Sequence, residues 1–361
     1  MEVNTYIYIY KECEYLYKVH KSQEILSAIS SSYDAEFLEV NSPVDLTMRP
    51  IVGGPQCHTS RLSNFIDIIL KPLVHKVDSY LRDIMCFLNK LPGEVHQDDI
   101  LLTYDVTSLY NVIPHDLGIQ AVSFWYDKFS NCLPRAFSKQ MILEGLQLIL
   151  CNNTFNFGDE MFIQKKGTAM GTKVAPAYAT LVLGYLEVEL YKKTAETYSQ
   201  EVAHYVRHNW WRFLDDCFMV WKREFGSPQA FTAILNSLHE DIKFVQGQSS
   251  TKLPFLDVMV IKTGDKLTTD IYHKATDARR YVPYNSCHPN HTKRNIPYTL
   301  ARRIAMIVPD LNLRKLRLNE LHQDLLKCNY PSNLVNDAIA HFLKVDSRNL
   351  RIPKQKESTK Q

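Results

Sequence analysis

Three acidic residues stand where their chemistry could converge. Asp105 ends the apolar run ILLTY at 100–104, and Asp215 and Asp216 separate the apolar runs WWRFL at 210–214 and CFMVW at 217–221. Two apolar runs joined by two residues predict a hairpin with both acids at its tip. A strand end and a hairpin tip would thus deliver three carboxylates to one place. Such a set suits two divalent cations held ~3.5–4 Å apart, which clamp the attacking and leaving oxygens of a phosphoryl transfer. Hard Mg²⁺ takes carboxylate, water and phosphate oxygens and needs neither His nor Cys. Without a cation, three close carboxylates repel one another and at least one pKa rises, so the cluster implies bound metal. Asp-Asp is most often a plain polar turn. Here the flanks on both sides are too apolar for an ordinary surface hairpin.

The elements that must position these acids are legible in outline. Apolar residues Leu62, Phe65, Ile66, Ile69, Leu73, Val77, Leu81, Ile84 and Leu88 recur at helical spacing, with an interruption near Pro72. Residues 136–151, 175–193 and 229–240 read as helices, 255–262 and 267–272 as strands, and 296–345 as mostly helical. Alternating Tyr and Ile at 6–10 predict a short strand, and the polar stretch from Pro353 a frayed tail. No internal repeat occurs. Interleaved short strands and helices, with helices gathered at the C-terminal end, give an α+β fold class.

At 361 residues and 45% hydrophobic content the chain can bury two or three packed subdomains. No apolar run approaches the roughly 18–20 residues that span a bilayer, and the charged start MEVNTYIYIYKECEY is unlike a signal peptide. Eight scattered cysteines without a CxxC pair read as reduced thiols of an intracellular protein. The net charge of +3 conceals a division: residues 278–361 hold 16 Lys/Arg against 6 Asp/Glu, and the remainder is acidic. A basic C-terminal third behind an acidic body suits a grip on a phosphate backbone.

The order of motifs resembles right-hand polymerases with a reverse transcriptase palm, and most closely the Penelope-like retroelement enzymes, relatives of telomerase. LLTYDVTSLYNVIP (101–114), QKKGTAMGTKVAPAYATL (164–181), FLDD (213–216), IKF (242–244) and LPFLDV (253–258) are similar to successive palm motifs. TDIYHKATDARRYVPYNSCHPNHTKRNIPYTLARRI (269–304) resembles the family's post-palm segment, with its S-x-H-P and K-R spacing. LYKVHK (16–21) and RPIVGG (49–54) resemble fingers motifs, so the likeness covers about residues 14–305. It implies a right-hand polymerase with fingers (1–99), palm (100–265, an antiparallel sheet backed by helices) and a mostly helical, basic thumb (266–361). The implied activity is RNA-directed DNA polymerisation in the nucleus. The implied partners are an RNA template, a DNA primer and dNTPs, with two Mg²⁺ ions that Mn²⁺ can replace and no membrane.

Carried over position by position, the resemblance makes Asp105 and Asp215 principal metal ligands and Asp216 a supporting one. Tyr110, five residues beyond Asp105, becomes the side chain that excludes a ribose 2′-OH. Gly171 and Pro176 lie under the nascent base pair, flanked by Met170 and Lys173. Lys243 would protonate the leaving pyrophosphate, and Arg49, Lys18 and Lys21 would hold the incoming triphosphate. LPFLDV would be a strand under the primer end. Arg279, Arg280, Lys293, Arg294, Arg302 and Arg303 would grip the nucleic-acid backbone.

Cys287, His288 and His291 lack the second ligand pair of a structural zinc site. Tyr6–Tyr10 lacks the glycines of a GIY-YIG nuclease, and no such motif follows the polymerase-like region, so the expectation is a polymerase without that domain. The departures from the pattern are a short segment before LYKVHK, no Gly or Pro within it, a long step from Lys21 to Arg49, and Ala175 in place of Ser before Pro176. None removes a metal ligand. Two other readings share the acids: a catalytically silent, polymerase-shaped nucleic-acid binder, and a viral-type RNA-dependent RNA polymerase. Tyr110 opposes the latter, which places a smaller or polar group there.

Overall fold

The computed structural model describes residues 11–17, 22–31, 43–46, 48–52, 57–157, 160–274, 277 and 279–352. The strand expected at 6–10, the triphosphate candidates Lys18 and Lys21, and the tail from Pro353 fall outside these residues.

In chain order the elements begin with β1 (Lys11–Tyr17), α1 (Gln23–Ser31), β2 (Met48–Val52), α2 (Ser60–Val74), α3 (Ile84–Lys90) and β3 (Ile100–Val106). Then come α4 (Leu109–Val112), α5 (His115–Phe129), α6 (Lys139–Cys151), β4 (Thr154–Phe157), β5 (Glu160–Ile163), α7 (Ala175–Thr197) and α8 (Gln200–Asn209). Next are β6 (Trp211–Phe213), β7 (Asp216–Trp221), α9 (Pro228–Asn236), β8 (Phe244–Ser249), β9 (Lys252–Phe255), β10 (Val258–Thr263) and β11 (Lys266–Ile271). The chain closes with α10 (Asn290–Ile307), α11 (Leu311–Lys327), α12 (Ser332–Phe342) and α13 (Ser347–Leu350). No helix of the described residues is long and apolar enough to cross a membrane. They form two compact units, Met1–Tyr80 with Leu102–Gly247 and Leu81–Leu101 with Gln248–Gln361.

The first unit is organised around α7. Its sequence APAYATLVLGYLEVEL is apolar on nearly every side, and Ala175, Ala177 to Gly184, Leu186, Glu187, Leu190 and Thr194 are buried. A helix apolar all round belongs in a core, and α2, α5, α8 and α9 pack on it. Pro176 stands in its first turn, where the missing N–H has no helical partner to lose. The sheet beside it has the order β6-β7-β3-β8. Residues Cys217 to Trp221 of β7 are all buried, the pattern of a strand covered on both faces. Trp221 and Phe231 lie 5.1 Å apart, and Tyr104 and Trp210 5.4 Å, which joins sheet and helices through aromatic contacts. A second sheet, β2-β1-β4-β5, belongs to the same unit.

In the second unit β9, β10 and β11 form an antiparallel meander, and α10 packs with α11, α12 and α13. The sequence predicts one strand over 255–262, but the structure has a hairpin there, turning at Leu256-Asp257. Leu256 is left-handed (φ 54°), a conformation that no Gly or Asn announces in the sequence. Arg314 is buried; its guanidinium donates to the Val308 carbonyl at 2.9 Å and to Ser347 Oγ at 2.6 Å, closing the helical end. Arg317 holds Asp270 with two nitrogens, at 3.0 and 2.6 Å, and this pairing raises its pKa above the ordinary arginine value.

Candidate active site

Alternation along β3 buries Tyr104 and Val106 and leaves Asp105 half-buried between them. The main chain just beyond Asp105 is tied on both sides. Val106 N–H donates to the Asp215 carbonyl at 3.1 Å, and Thr107 N–H donates to the Lys243 carbonyl at 2.9 Å. The first acid therefore lies between the hairpin tip that carries the other two and the segment just before β8 that carries Lys243. Asp215 is the second residue of the two-residue turn between β6 and β7, and Asp216 opens β7 opposite Phe213. The first turn residue, Leu214, is left-handed at φ 54°, whereas Asp215 is not among the positive-φ residues. That combination is the primed turn with one positive φ, a place normally taken by Gly. A side chain in this region costs about 1–2 kcal/mol.

The chemistry of the three donors, all carboxylate oxygen on neighbouring strand ends, fits hard divalent cations. The side chains do not stand as a closed ligand set: among the described residues no group of three or more His, Cys, Asp or Glu is placed to hold a metal ion.

The loop before α7 is fastened to the segment that follows Asp105. Thr168 N–H donates to the Tyr110 carbonyl at 2.7 Å, Gly167 N–H to the Ile113 carbonyl at 2.8 Å, and His115 Nε2 to the Gly167 carbonyl at 2.9 Å. Gly167 is left-handed (φ 78°), and a Cβ there would lie 2.2 Å from the Tyr110 carbonyl oxygen. Only glycine fits. Gly167, Thr168 and Ala169 are buried anchors, whereas Gly171, Lys173 and Pro176 are exposed and Met170 and Tyr110 half-buried. Tyr110 and the candidate base-pair-binding residues are thus brought to one locality.

Lys166 pairs with Asp241, and this hydrogen bond holds the Asp241 carboxyl below its ordinary pKa. Lys243 is exposed; its ammonium donates to the Asn236 carbonyl at 3.0 Å and the His239 carbonyl at 3.3 Å, at the C-terminal end of α9. Arg49 lies on β2 opposite Leu16 of β1.

Beneath the acidic turn sits a buried charge network that sequence reasoning missed. Arg212, 1% exposed, donates through Nε to Glu187 Oε1 at 2.7 Å, through Nη1 to the Leu214 carbonyl at 3.2 Å and through Nη2 to the Thr180 carbonyl at 3.1 Å. Glu187 also accepts from Ser79 Oγ at 2.7 Å and Trp210 Nε1 at 3.0 Å. Burial alone would depress the Arg212 pKa; the Glu187 carboxylate outweighs it and holds the guanidinium above its ordinary value. The available signal was a charge inside the apolar string WWRFL.

In the second unit most of the basic candidates are engaged with the protein itself. Arg303 is ion-paired with Asp257, and Arg279 lies 3.5 Å from Glu320 and 3.7 Å from Asp324. Arg302 donates to the Leu350 carbonyl at 3.1 Å. Lys293 is buried, donates to the Ser286 carbonyl at 2.8 Å and stands 5.5 Å from the centre of the Tyr284 ring. Arg280 and Arg294 are exposed.

A family model for the animal helix-turn-helix domain matches residues 280–340, covering α10, α11 and most of α12. A search of curated proteins found no match. Among solved structures, the RNA-dependent RNA polymerase of a human picobirnavirus is similar with a TM-score of 0.50 at 13% identity, over 83% of this chain and 58% of that one. Telomerase from Candida albicans, bound to a fragment of telomeric RNA, gives 0.48 at 10% identity over 77% and 48% of the two chains. Apo telomerase from Candida tropicalis, truncated of its C-terminal domain, gives 0.43 at 13% over 69% and 60%. The chain therefore spans between 48% and 60% of the length of these three structures. Its fold is that of the right-hand polymerases, helices with antiparallel sheets.

Proposed function

We propose that this chain is the polymerase core of a Penelope-like retroelement, an RNA-directed DNA polymerase that extends a DNA primer along an RNA template. The observation that carries the reading is the main-chain convergence at Asp105. Hydrogen bonds tie the segment after this residue to the Asp215 turn, the Lys243 segment before β8 and the Gly167–Thr168 loop. Four motifs separated by up to about 140 residues in the sequence thereby meet around one strand end.

In this reading residues 1–99 act as fingers, 100–265 as palm and 266–361 as thumb. Two Mg²⁺ ions held by Asp105, Asp215 and Asp216 would stabilise the charge that builds on the attacking and leaving oxygens. Tyr110, whose main-chain carbonyl accepts from Thr168 N–H, excludes a 2′-hydroxyl. Met170 and Gly171 from the loop before α7 and Pro176 from the first turn of α7 bear on the nascent base pair. Arg49 and Lys21 take the triphosphate. Lys243 donates a proton to the departing pyrophosphate, which requires its ammonium to leave the carbonyls of Asn236 and His239. Arg280 and Arg294, exposed, and the half-buried Arg279, Arg302 and Arg303 contact the nucleic-acid backbone, and the buried Lys293 shapes the surface that presents them.

Primer extension tests the proposal. Purified chain should extend a DNA primer on an RNA template with Mg²⁺ and dNTPs, and stop when the metal is chelated. Extension with rNTPs in preference to dNTPs would favour an RNA polymerase instead. Salt-sensitive binding of primer-template without any extension would favour the silent binder.

A further inference from the structure

Resting on that reading, we infer that Arg212, locked by Glu187, is a positioning residue that sets the main-chain orientation of the Leu214-Asp215 turn and so the place of the Asp215 carboxylate. A buried ion pair is seldom a net source of stability, because desolvation of both charges offsets their attraction. The informative contact is the one Arg212 makes outside the pair, to the Leu214 carbonyl. The peptide between Leu214 and Asp215 is planar, so fixing its oxygen fixes its N–H and the direction in which Asp215 leaves the turn. The two primed two-residue turns share a positive φ at the first position and differ at the second. Anchoring the carbonyl in the α7 network selects the form in which Leu214 alone is left-handed. The other carbonyl of the turn, that of Asp215, is held by Val106 N–H. Both main-chain oxygens at the acidic tip are therefore fastened, one by the buried Arg212 and one by the neighbouring strand β3.

The second Phe-Leu-Asp turn makes an internal control. Leu256 has the same φ of 54°, yet there the arginine, Arg303, takes the aspartate carboxylate, and Tyr272 N–H takes the Asp257 carbonyl at 2.9 Å. At the Asp257 turn the carboxylate is consumed by structure. At the Asp215 turn the arginine takes the main chain instead.

The test uses Arg212→Lys, the near-isosteric Glu187→Gln in case the first fails to fold, and Leu214→Gly. Glycine adopts positive φ without strain, so it should lessen the need for the clamp. Hydrogen exchange over residues 211–218 should quicken by roughly tenfold in Arg212→Lys or Glu187→Gln. In steady state, kcat should fall by at least about tenfold with the dNTP KM within about twofold, and the Mg²⁺ concentration for half-maximal rate should rise. Adding Leu214→Gly to Arg212→Lys should recover most of the missing kcat. Unchanged exchange over 211–218 in a folded variant overturns the inference, as does a double variant no faster than Arg212→Lys alone. If the wild-type chain does not extend a primer, the polymerase reading fails by itself, and the exchange measurement alone decides the clamp.

Discussion

Replacing Gly167 with Ala should damage the site through a single methyl group. The added Cβ would sit 2.2 Å from the Tyr110 carbonyl oxygen and 2.8 Å from Asn111 main-chain carbons, and backbone cannot swing aside as a side-chain tip can. The φ of 78° adds a left-handed penalty of about 1–2 kcal/mol. Separating the loop from the segment after Asp105 also sacrifices the bonds from Gly167 to Ile113 and from Thr168 to Tyr110, each worth about 1 kcal/mol. The sum is about 3–4 kcal/mol, a large share of the ~5–15 kcal/mol that holds a typical domain. Urea denaturation of wild type and variant gives the stability loss, and hydrogen exchange over 164–172 shows whether it begins in this loop. The dNTP KM should rise as Tyr110 loses its anchor. A loss below about 1 kcal/mol with unchanged exchange would refute the claim that this loop is braced against the Tyr110 main chain.

Tyr110→Ala should retain dNTP use while admitting rNTPs, read as the ratio of kcat/KM for the two; an unchanged ratio would return Tyr110 to a packing role. Arg280→Ala with Arg294→Ala should flatten the slope of log binding constant against log salt by up to ~1.8, about 0.9 for each phosphate that is no longer neutralised, and shorten products. A double variant with the wild-type slope would make both arginines ordinary surface charge. Lys166→Ala should raise the Asp241 titration midpoint toward the usual carboxylate value, since the lysine's hydrogen bond is what depresses it. A carboxyl NMR titration that shows no upward movement would contradict that assignment.

Most of what places the acids was visible in the sequence, because apolar runs bounded by charge encode β3, β6 and β7, and a helix apolar on all sides encodes α7. Other elements were hidden by local chemistry. Pro114 reads as a breaker before α5 but acts as its N-cap, and α8 is polar enough to pass for a loop, burying only Val202, Ala203 and Val206. The turn at Leu256-Asp257 lacks the Gly or Asn that would announce it. The positively charged third was legible as a total and not as a surface. Whether an arginine faces solvent depends on acids distant in sequence, such as Asp257 for Arg303 and Glu320 and Asp324 for Arg279. The Glu187–Arg212 pair was invisible for the same reason: its partners stand 25 residues apart on different elements. Gly167 could have been found, as a glycine in the loop before a buried helix, but nothing local names Tyr110 as the group it must avoid.

The central claim rests on Asp215, and one comparison tests it most directly. Single-turnover incorporation of one dNTP is measured for wild type and Asp215→Asn, alongside primer-template affinity. The substitution removes a charge and almost no volume, so folding and binding should stay near wild type. A metal ligand contributes several kcal/mol to the transition state and each ~1.4 kcal/mol is tenfold in rate. Incorporation should therefore fall by at least about a thousandfold. An Asp215→Asn variant that keeps more than about a tenth of the wild-type rate would contradict the assignment of this turn as the metal-binding centre.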